Sequence, residues 1–337
     1  MSIPHDTIIF VTGASRSGTT MLSRILGKHS NVFGLNELHV FGDLIQADDV
    51  RLSMNDQQRA ELSKLIFQRQ QHGIFHADKS VEDSRELNDL VASLPDETNA
   101  ADVFRHTILA IAKKEGKQIP CEQTPRNIFY AQALLDVYPN AHIVHIVRDP
   151  RSVLASQKSK WRRKFLGGSQ IPWIEVIRMW CNYHPITLSK LWVKANRMAK
   201  LFVGHKRFHL IRFEELLDSP QASLSALCSD IGLAYEEEML DITHEGSSHQ
   251  YNANESRGIS NSTLDSWKSS LSRAEIHLSQ KGCREMMSEY DYQPISNSPS
   301  LIDLLLVWGR FPLHVIGVII VNPRRAIIQM KSLLNKI

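Results

Sequence analysis

Along the chain, stretches with the apolar pattern of a β-strand alternate with stretches that have the apolar pattern of a helix. Short runs rich in apolar and β-branched residues are typical of strands buried in a sheet. They occupy residues 7–11, 141–147 and 207–213, with a shorter strand expected inside 117–127 that ends in a proline turn. The stretches between them have helical spacing or composition and cover 19–29, about 55–115, 127–140, 148–161 and 173–203. Alternating strands and helices predict an α/β fold, a parallel β-sheet flanked by helices on both faces.

Two helix starts in the later part of the chain carry capping signals. Ser219 followed by Pro220 predicts one of them. The sequence "SRAE" at residues 272–275 has the pattern of a capping box and predicts the other. Between them, residues 244–263 are rich in Ser, Asn and Gly, so we expect a loop there.

The tail is apolar over residues 301–321, a length close to the ~20 residues that a bilayer-spanning helix needs. Its polar interruptions are Asp303, Arg310 and His314, and its expected breaks are Gly309 and Pro312. Three roles stay open: packing on the protein or on a homodimer partner, an interfacial pair of helices on a membrane, and, last, a true span. We therefore expect one domain over 1–295 and an apolar, basic extension over 296–337, in which residues 301–325 would make the contact in the peripheral membrane role.

Composition narrows the function mainly by exclusion. The 337 residues are 42% hydrophobic and 22% charged, as in an ordinary globular protein. A net charge of only +3 gives no general basis for nucleic-acid binding. The four cysteines lack C-x-x-C spacing and fit a reducing compartment. Because the N terminus has no signal-peptide pattern, we expect a cytoplasmic location, with membrane association through the tail as the alternative.

The first strand leads into "VTGASRSGTT", residues 11–20, which has the glycine spacing of a P-loop without its lysine. Backbone N–H groups and a helix N-terminus that point to one place predict an anion site. The expected binding residues are Arg16, Ser17, Gly18, Thr19, Thr20 and Met21. Losing the lysine that holds the β- and γ-phosphates argues against phosphoryl transfer.

The stretch "RSGTTML" after a strand resembles the 5′-phosphosulfate loop of sulfotransferases that use 3′-phosphoadenosine 5′-phosphosulfate (PAPS). "HIVRDPRSVLAS" resembles the second signature of that family, which implies that Arg148 and Ser156 bind the 3′-phosphate. Arg148 would leave the sheet at its carboxyl edge, where α/β proteins bind ligands. The resemblance implies a P-loop-like sulfotransferase fold, PAPS as co-substrate and no metal.

"NVFGLNELH" resembles the Gly-x-x-Glu segment that supplies a glutamate base in tyrosylprotein and several bacterial sulfotransferases. This implies Glu37 as the base that takes the acceptor's proton. His39 is the rival, because cytosolic members of the family use a histidine base. Helical spacing would put the two side chains on different sides, so we expect one of them, Glu37 first, to act alone.

Two weaker resemblances complete the expected site. "CEQTPRN" resembles the E-K-T-P strand end of related bacterial enzymes, whose lysine points at the sulfonate; here Gln123 replaces it, and Arg126 is a candidate for the missing charge. "ESRGIS" lies where the family has a loop that closes over the 3′-phosphate, which implies roles for Arg257 and Gly258.

The basic stretch "QKSKWRRK", residues 157–164, has two interpretations. It is a solvated helix end, or it is a landing surface for an acidic glycan or an anionic membrane. The acceptor would be a hydroxyl of a carbohydrate, a lipid-linked glycan or a tyrosine.

Three functions therefore compete. The first is a PAPS-dependent sulfotransferase. The second is a P-loop kinase or NTPase with Asp149 as a poor magnesium ligand, and the third is a catalytically weak, membrane-attached nucleotide-binding protein.

Overall fold

The computed structural model describes residues 4–46, 49–74, 84–95, 98–165, 171–242 and 264–322. These residues form two compact units, described separately below. The first unit contains the described residues of 4–148 and 195–242, and the second those of 149–194 and 264–322. The domain division expected near residue 295 stays a prediction.

A five-stranded parallel sheet forms the centre of the first unit. Its strands are β1 (Ile8–Gly13), β2 (Val32–Gly34), β3 (Ile119–Glu122), β4 (Ala141–Val147) and β5 (Phe208–Arg212). Their order is β2-β3-β1-β4-β5, and every neighbouring pair is parallel. The expected α/β fold is confirmed. All six residues of β1 are buried, which explains why its sequence is apolar without alternation.

The described residues of the two units contain thirteen α-helices. In chain order they are α1 (Thr19–Lys28), α2 (Asp56–His72), α3 (Ser84–Ser93), α4 (Ala100–Lys114), α5 (Ala131–Val137), α6 (Pro150–Lys158), α7 (Trp173–Cys181), α8 (Pro185–Lys200), α9 (Phe213–Asp218), α10 (Pro220–Ile231), α11 (Trp267–Ser270), α12 (Arg273–Glu289) and α13 (Leu301–Val321). Short 3-10 turns occupy Pro125–Tyr130, Lys160–Phe165 and Glu237–Leu240.

The element bounds differ from the sequence expectation where the local pattern was weak. β2 has only three residues, too few for a periodicity, and it was not expected. The helix expected over 127–140 begins as the 3-10 turn and becomes α-helical only at Ala131. The helix expected over 173–203 is two helices, because Pro185 has no N–H to continue the first one.

The two capping signals have different outcomes. Ser272 and Glu275 form both hydrogen bonds of the capping box, as expected. Ser219 is at the N-cap position with Pro220 in the first turn, but its side chain makes no capping hydrogen bond. The loop expected over 244–263 lies outside the described residues.

The expected break in the apolar tail is wrong. α13 is continuous from Leu301 to Val321 with Pro312 inside it. Ser300 caps its first turn by accepting a hydrogen bond from the Asp303 N–H, at 3.1 Å. A proline removes a single N–H from the ladder, and the turns on both sides of Pro312 keep theirs.

An aromatic cluster fixes the middle of the first unit's core. Phe10 of β1 lies between the rings of Phe41, Phe104 and Tyr138, with ring centroids 6.0–6.3 Å from its own. Phe10, Phe41 and Phe104 are almost fully buried. The cluster thereby joins β1 to α4 and to the segment that follows β2.

A core of its own holds the second unit together. Buried side chains of α6, α11 and α12 form it: Leu154, Ala155, Trp267, Leu271 and Ile276. The guanidinium carbon of Arg151 lies 4.2 Å from the centroid of the Trp267 ring and adds a cation–π contact.

A buried histidine links β4 to its neighbours in the first unit. His145 is fully buried, and its Nδ1 lies 3.1 Å from Thr12 Oγ1 on the adjacent strand β1. Its Nε2 lies 3.3 Å from Asn196 Oδ1. Burial lowers the pKa of His145 to about 4. The imidazole is therefore neutral in the folded protein at neutral pH.

This burial predicts a pH dependence of stability. An unfolded histidine has a pKa of about 6.5, so the unfolded chain binds the extra proton between that pH and about 4. The free energy of unfolding should fall as pH falls through this window, by about 1.4 kcal/mol per pH unit for this group. In His145→Gln the slope, measured by denaturant unfolding at several pH values, should be smaller by that amount. An unchanged slope would contradict the prediction.

Candidate functional site

Chemistry-bearing residues follow the strands at the carboxyl edge of the sheet. Along this edge, Glu37 comes after β2, Gln123 after β3, the glycine loop after β1, and Arg148 after β4. Neighbouring strands are about 4.8 Å apart, so Glu37 and the loop belong to strands about 10 Å apart. β1 is also the switch point of the sheet, because β2 and β3 lie on one side of it and the later strands β4 and β5 lie on the other. Ligands of open α/β sheets bind at such a position.

The loop between β1 and α1 has the backbone of an anion cradle. Arg16 has φ 78° and Gly18 has φ 105°, so two residues of a short turn are left-handed. A non-glycine residue in this region stores strain, and such strain concentrates at functional sites. Alternating backbone hands turn successive N–H groups toward one point, which is a nest for an anion.

Both glycines of the loop are required by close neighbours. A Cβ on Gly13 would lie 2.7 Å from the carbonyl oxygen of Ile146 on β4. A Cβ on Gly18 would lie 2.5 Å from the ring of Phe213, the first residue after β5. The two glycines therefore allow close packing against β4 and against Phe213, as well as the curvature of the loop.

The side chains around the cradle suit a negative ligand. Ser17 is fully buried, and its Oγ has no hydrogen-bond partner among the described residues. The first turn of α1 contains no acidic residue, so nothing competes for its positive end. Thr19 is buried, Thr20 is exposed and Met21 is half-buried. An unsatisfied hydroxyl beside helix N–H groups fits a phosphate or sulfate group.

Arg148 lies next to this loop. Its guanidinium carbon is 4.1 Å from the ring centroid of Phe213, and its Nη1 is 3.5 Å from the Arg16 carbonyl oxygen. One aromatic ring thus supports both Gly18 and Arg148. An aromatic residue at a strand end was the signal available for this role of Phe213.

Glu37 and His39 lie together, contrary to the expectation that they face different sides. His39 Nε2 is 3.4 Å from Glu37 Oε2. The expectation was wrong because residues 35–40 form no helix. His39 is instead left-handed, with φ 48°, which turns its side chain back toward Glu37. The two rival bases are therefore a carboxylate–imidazole pair, both partly open to solvent.

A buried carboxylate that the sequence analysis missed holds this segment. Glu122, at the end of β3, is 1% exposed. It accepts hydrogen bonds from the Leu38 N–H at 3.2 Å, the Thr124 N–H at 3.0 Å and Asn127 Nδ2 at 2.7 Å, and it also accepts from the Thr124 hydroxyl. Burial raises the pKa of Glu122, and these hydrogen bonds act against that rise. The signal that could have revealed this role in the sequence was a charged residue at the end of an apolar strand.

Two further contacts fix the backbone beside the pair. The His39 N–H donates to Thr124 Oγ1 at 3.0 Å. Arg69 Nη1, from α2, donates to the Leu38 and His39 carbonyl oxygens at 2.6 and 2.8 Å. The segment that carries Glu37 is thus held from β3 and from α2 at once.

Gln123 directly follows β3. This strand lies between β2, which precedes the Glu37–His39 pair, and β1, which precedes the glycine loop. Gln123 is 6% exposed, and its Oε1 has no hydrogen-bond partner among the described residues. Arg126, the candidate for the missing charge, forms an ion pair with Asp43 at 2.9 Å. Its charge is therefore already engaged by a carboxylate.

The remaining predicted residues are on other parts of the chain. Ser156 is a half-buried residue of α6 in the second unit, while its neighbour Ser152 donates to the Leu264 carbonyl oxygen at 3.1 Å. Arg257 and Gly258 lie outside the described residues. Throughout the described ranges, no group of three or more His, Cys, Asp and Glu side chains is arranged to hold a metal ion. The absence of a metal stays a prediction.

This edge of the first unit offers two chemical functions in adjoining places. The cradle with Arg16, Ser17 and Arg148 can bind an anion. The Glu37–His39 pair can accept a proton.

Comparisons with known proteins agree with this geometry. A model of the sulfotransferase family matches residues 9–237. Human carbohydrate sulfotransferases 6 and 5 are each 24% identical to the chain, covering 88% and 91% of it and 84% and 83% of their own lengths. The solved sulfotransferase domain from the curacin biosynthetic pathway is 20% identical, with a TM-score of 0.53, and covers 86% of this chain and 99% of its own. The sulfotransferase fold expected from the motifs is confirmed.

The contact between Gly18 and Phe213 predicts an unequal pair of glycine variants. Gly232 has φ 88° and ψ 19°, close to the left-handed backbone of Gly18, and open space around its Cβ position, so Gly232→Ala should cost about 1 kcal/mol of unfolding free energy for the backbone alone. Gly18→Ala should cost about 1–3 kcal/mol more, because its methyl group overlaps the Phe213 ring. Urea unfolding of both variants measures the difference. Equal costs would show that the ring does not constrain the loop.

Proposed function

Because the chain belongs to the sulfotransferase family, we propose that it transfers the sulfuryl group of PAPS to an acceptor hydroxyl. The observation that carries the proposal is the lysine-free cradle with its unsatisfied Ser17 hydroxyl, at the same sheet edge as the Glu37–His39 pair. Adenosine 3′,5′-bisphosphate would be the released product.

The donor would bind through its two ends. The 5′-phosphosulfate fits the cradle, where Arg16, Ser17, Gly18, Thr19, Thr20 and Met21 supply backbone and side-chain donors. Arg148 would bind the 3′-phosphate, since it adjoins the loop and its stacking on Phe213 holds the guanidinium in one plane. By the motif resemblance, Ser156, Arg257 and Gly258 would complete that end.

Transfer would proceed in line. The acceptor oxygen forms a bond to sulfur while the bond from sulfur to the 5′-phosphate oxygen breaks, and the electron pair leaves with the phosphate. Glu37 would take the acceptor's proton, and His39 would orient the carboxylate and share that proton. Positioning and electrostatic stabilisation supply most of the rate in such a transfer.

Gln123 would be the donor closest to the transferred group. Its amide can donate one hydrogen bond without a charge, where related bacterial enzymes have a lysine. Arg16 is then the nearest cationic side chain of the loop for the charge that develops on the leaving phosphate.

The kinase or NTPase alternative is the weaker one. It would need Asp149 to hold magnesium. Asp149 is almost buried, caps α6 and forms an ion pair with Arg151, with 2.6 Å between Arg151 Nη2 and Asp149 Oδ2. A carboxylate engaged in this way is a poor metal ligand. The alternative of a catalytically weak, membrane-attached nucleotide-binding protein is supported by Gln123 and by the apolar tail over 301–321.

A carbohydrate is the acceptor class that we propose. The relatives that match over most of the chain are named carbohydrate sulfotransferases. A lipid-linked glycan and a tyrosine remain the other candidates, and incubation with labelled PAPS and an acceptor panel would separate them.

The role of Arg148 predicts a loss of donor affinity. Arg148→Ala should weaken the binding of adenosine 3′,5′-bisphosphate about 10- to 100-fold, because charge-assisted hydrogen bonds to the phosphate are lost. Calorimetric titration measures the affinity. Arg105→Ala, which removes a half-buried arginine paired with Asp102 on α4, is the matched control and should bind normally. Equal affinities of both variants would remove Arg148 from the phosphate site.

The role of Glu37 predicts a loss of turnover without a loss of binding. Glu37→Gln should lower kcat about 10²- to 10⁴-fold, because the amide cannot accept the proton. Its affinity for adenosine 3′,5′-bisphosphate should stay within about twofold. Glu61→Gln, at an exposed position of α2, is the control. Near-normal turnover of Glu37→Gln with loss in His39→Gln would transfer the role of base to the histidine.

A further inference from the structure

The exposed face of α7 in the second unit is entirely apolar. Its members are 50–61% exposed and recur at helical spacing: Trp173, Ile174, Ile177 and Trp180. The charged residues of the same helix, Glu175 and Arg178, are only partly exposed and pair with each other on the opposite side. Unlike a normal surface helix, α7 therefore exposes its apolar face.

α13 shows the same arrangement over its whole length. Its half-buried positions recur every three or four residues and form one stripe: Leu304, Val307, Phe311, His314, Gly317, Val318 and Val321. All its other residues are exposed, and only Asp303 and Arg310 among them are charged. By length and composition, with a mean hydropathy of 2.1, this is a helix that could enter a bilayer.

The stripe ties α13 to its own unit at three heights. His184 Nε2 lies 3.2 Å from the Val307 carbonyl oxygen, His314 Nδ1 lies 2.8 Å from the Cys181 carbonyl oxygen, and Arg178 Nε donates to the Val321 carbonyl oxygen at 3.0 Å. The tie points span residues 307–321, about 21 Å of helix. A helix held along its side in this way cannot cross a bilayer while the unit stays in water.

A basic and aromatic rim adjoins α7. This rim is the turn Lys160–Phe165. Its Phe165 ring centroid lies 5.9 Å from that of Trp173 in α7, and its Lys164 Nζ lies 5.0 Å from the Trp173 ring. Arg162 in the same turn is exposed. Tryptophan together with lysine and arginine is the composition that proteins place at the level of lipid headgroups.

We propose that α7, α13 and the turn Lys160–Phe165 form a membrane face that lies in the plane of an anionic bilayer. The exposed apolar sides of both helices would enter the acyl boundary, and the basic turn would meet the headgroups. This positive rim favours anionic lipid over a second copy of the chain, which would bring the same charges. The proposal goes beyond sulfuryl transfer and is measured without turnover, so it can fail independently. A cytoplasmic location stays a prediction.

Vesicle binding of the full chain tests the apolar part. The protein should sediment with phosphatidylcholine vesicles that contain phosphatidylserine. Ile174→Glu with Ile177→Glu should lower the partition coefficient at least about tenfold, because two side chains no longer enter the acyl region. Leu201→Glu with Val203→Glu, at equally exposed apolar positions of the first unit, should bind as the unsubstituted protein does. Equal losses in both variants, or no binding at all, would overturn the proposal.

The basic turn has its own variant. Arg162→Gln with Lys164→Gln should weaken binding to the phosphatidylserine vesicles about fivefold for each charge removed. Its binding to vesicles of phosphatidylcholine alone should be unchanged. A loss on both kinds of vesicle would contradict a headgroup contact.

Labelling of the helix ends separates the in-plane orientation from a span and from a dimer. In Ser300→Cys and in Asn322→Cys, a membrane-impermeant maleimide outside sealed vesicles should label both positions, above the background of the four native cysteines. Protection of one end would indicate a span and overturn the proposal. A dimer without lipid, dissociated by Ile174→Glu with Ile177→Glu in sedimentation velocity, would assign the face to a second copy instead.

Discussion

The close approach of the Phe213 ring to the glycine loop is the constraint on which the candidate site depends. The ring fills the space where Gly18 would have a side chain and also carries the guanidinium of Arg148. Because the loop has left-handed residues at Arg16 and Gly18, its backbone needs support from its neighbours to keep that shape. Phe213, directly after β5, therefore links the shape of the anion cradle to the position of Arg148.

The proton-accepting side of the edge is held by a second constraint, the buried carboxylate of Glu122. Three backbone and side-chain N–H groups and one hydroxyl donate to it, and one of the N–H groups belongs to Leu38, between Glu37 and His39. A polar group buried away from water is tolerated only when its hydrogen bonds are made in this way. β3 thus carries the residue that anchors the segment of the candidate base, and this anchoring replaces the regular secondary structure which that segment lacks.

Most of the fold, but only part of the candidate site, could be predicted from local sequence signals. β1 and β4 could be predicted because strands buried on both faces are rich in apolar and β-branched residues, whereas β2 is too short for a pattern. An anion role was expected for the loop from its glycine spacing and stays a proposal. The contact between Gly18 and Phe213 could not be predicted, since it joins distant parts of the chain. The pairing of Glu37 with His39 was mispredicted because it depends on a left-handed residue that helical spacing cannot represent.

The central claim is that the lysine-free cradle selects a 3′,5′-bisphosphorylated adenosine over a nucleoside triphosphate. Calorimetric titration of the unsubstituted protein with adenosine 3′,5′-bisphosphate and with ATP, each with and without magnesium, tests it most directly. We expect tight binding of adenosine 3′,5′-bisphosphate with an affinity that magnesium does not change, and much weaker binding of ATP. Magnesium-dependent binding of ATP without affinity for the bisphosphate would contradict it.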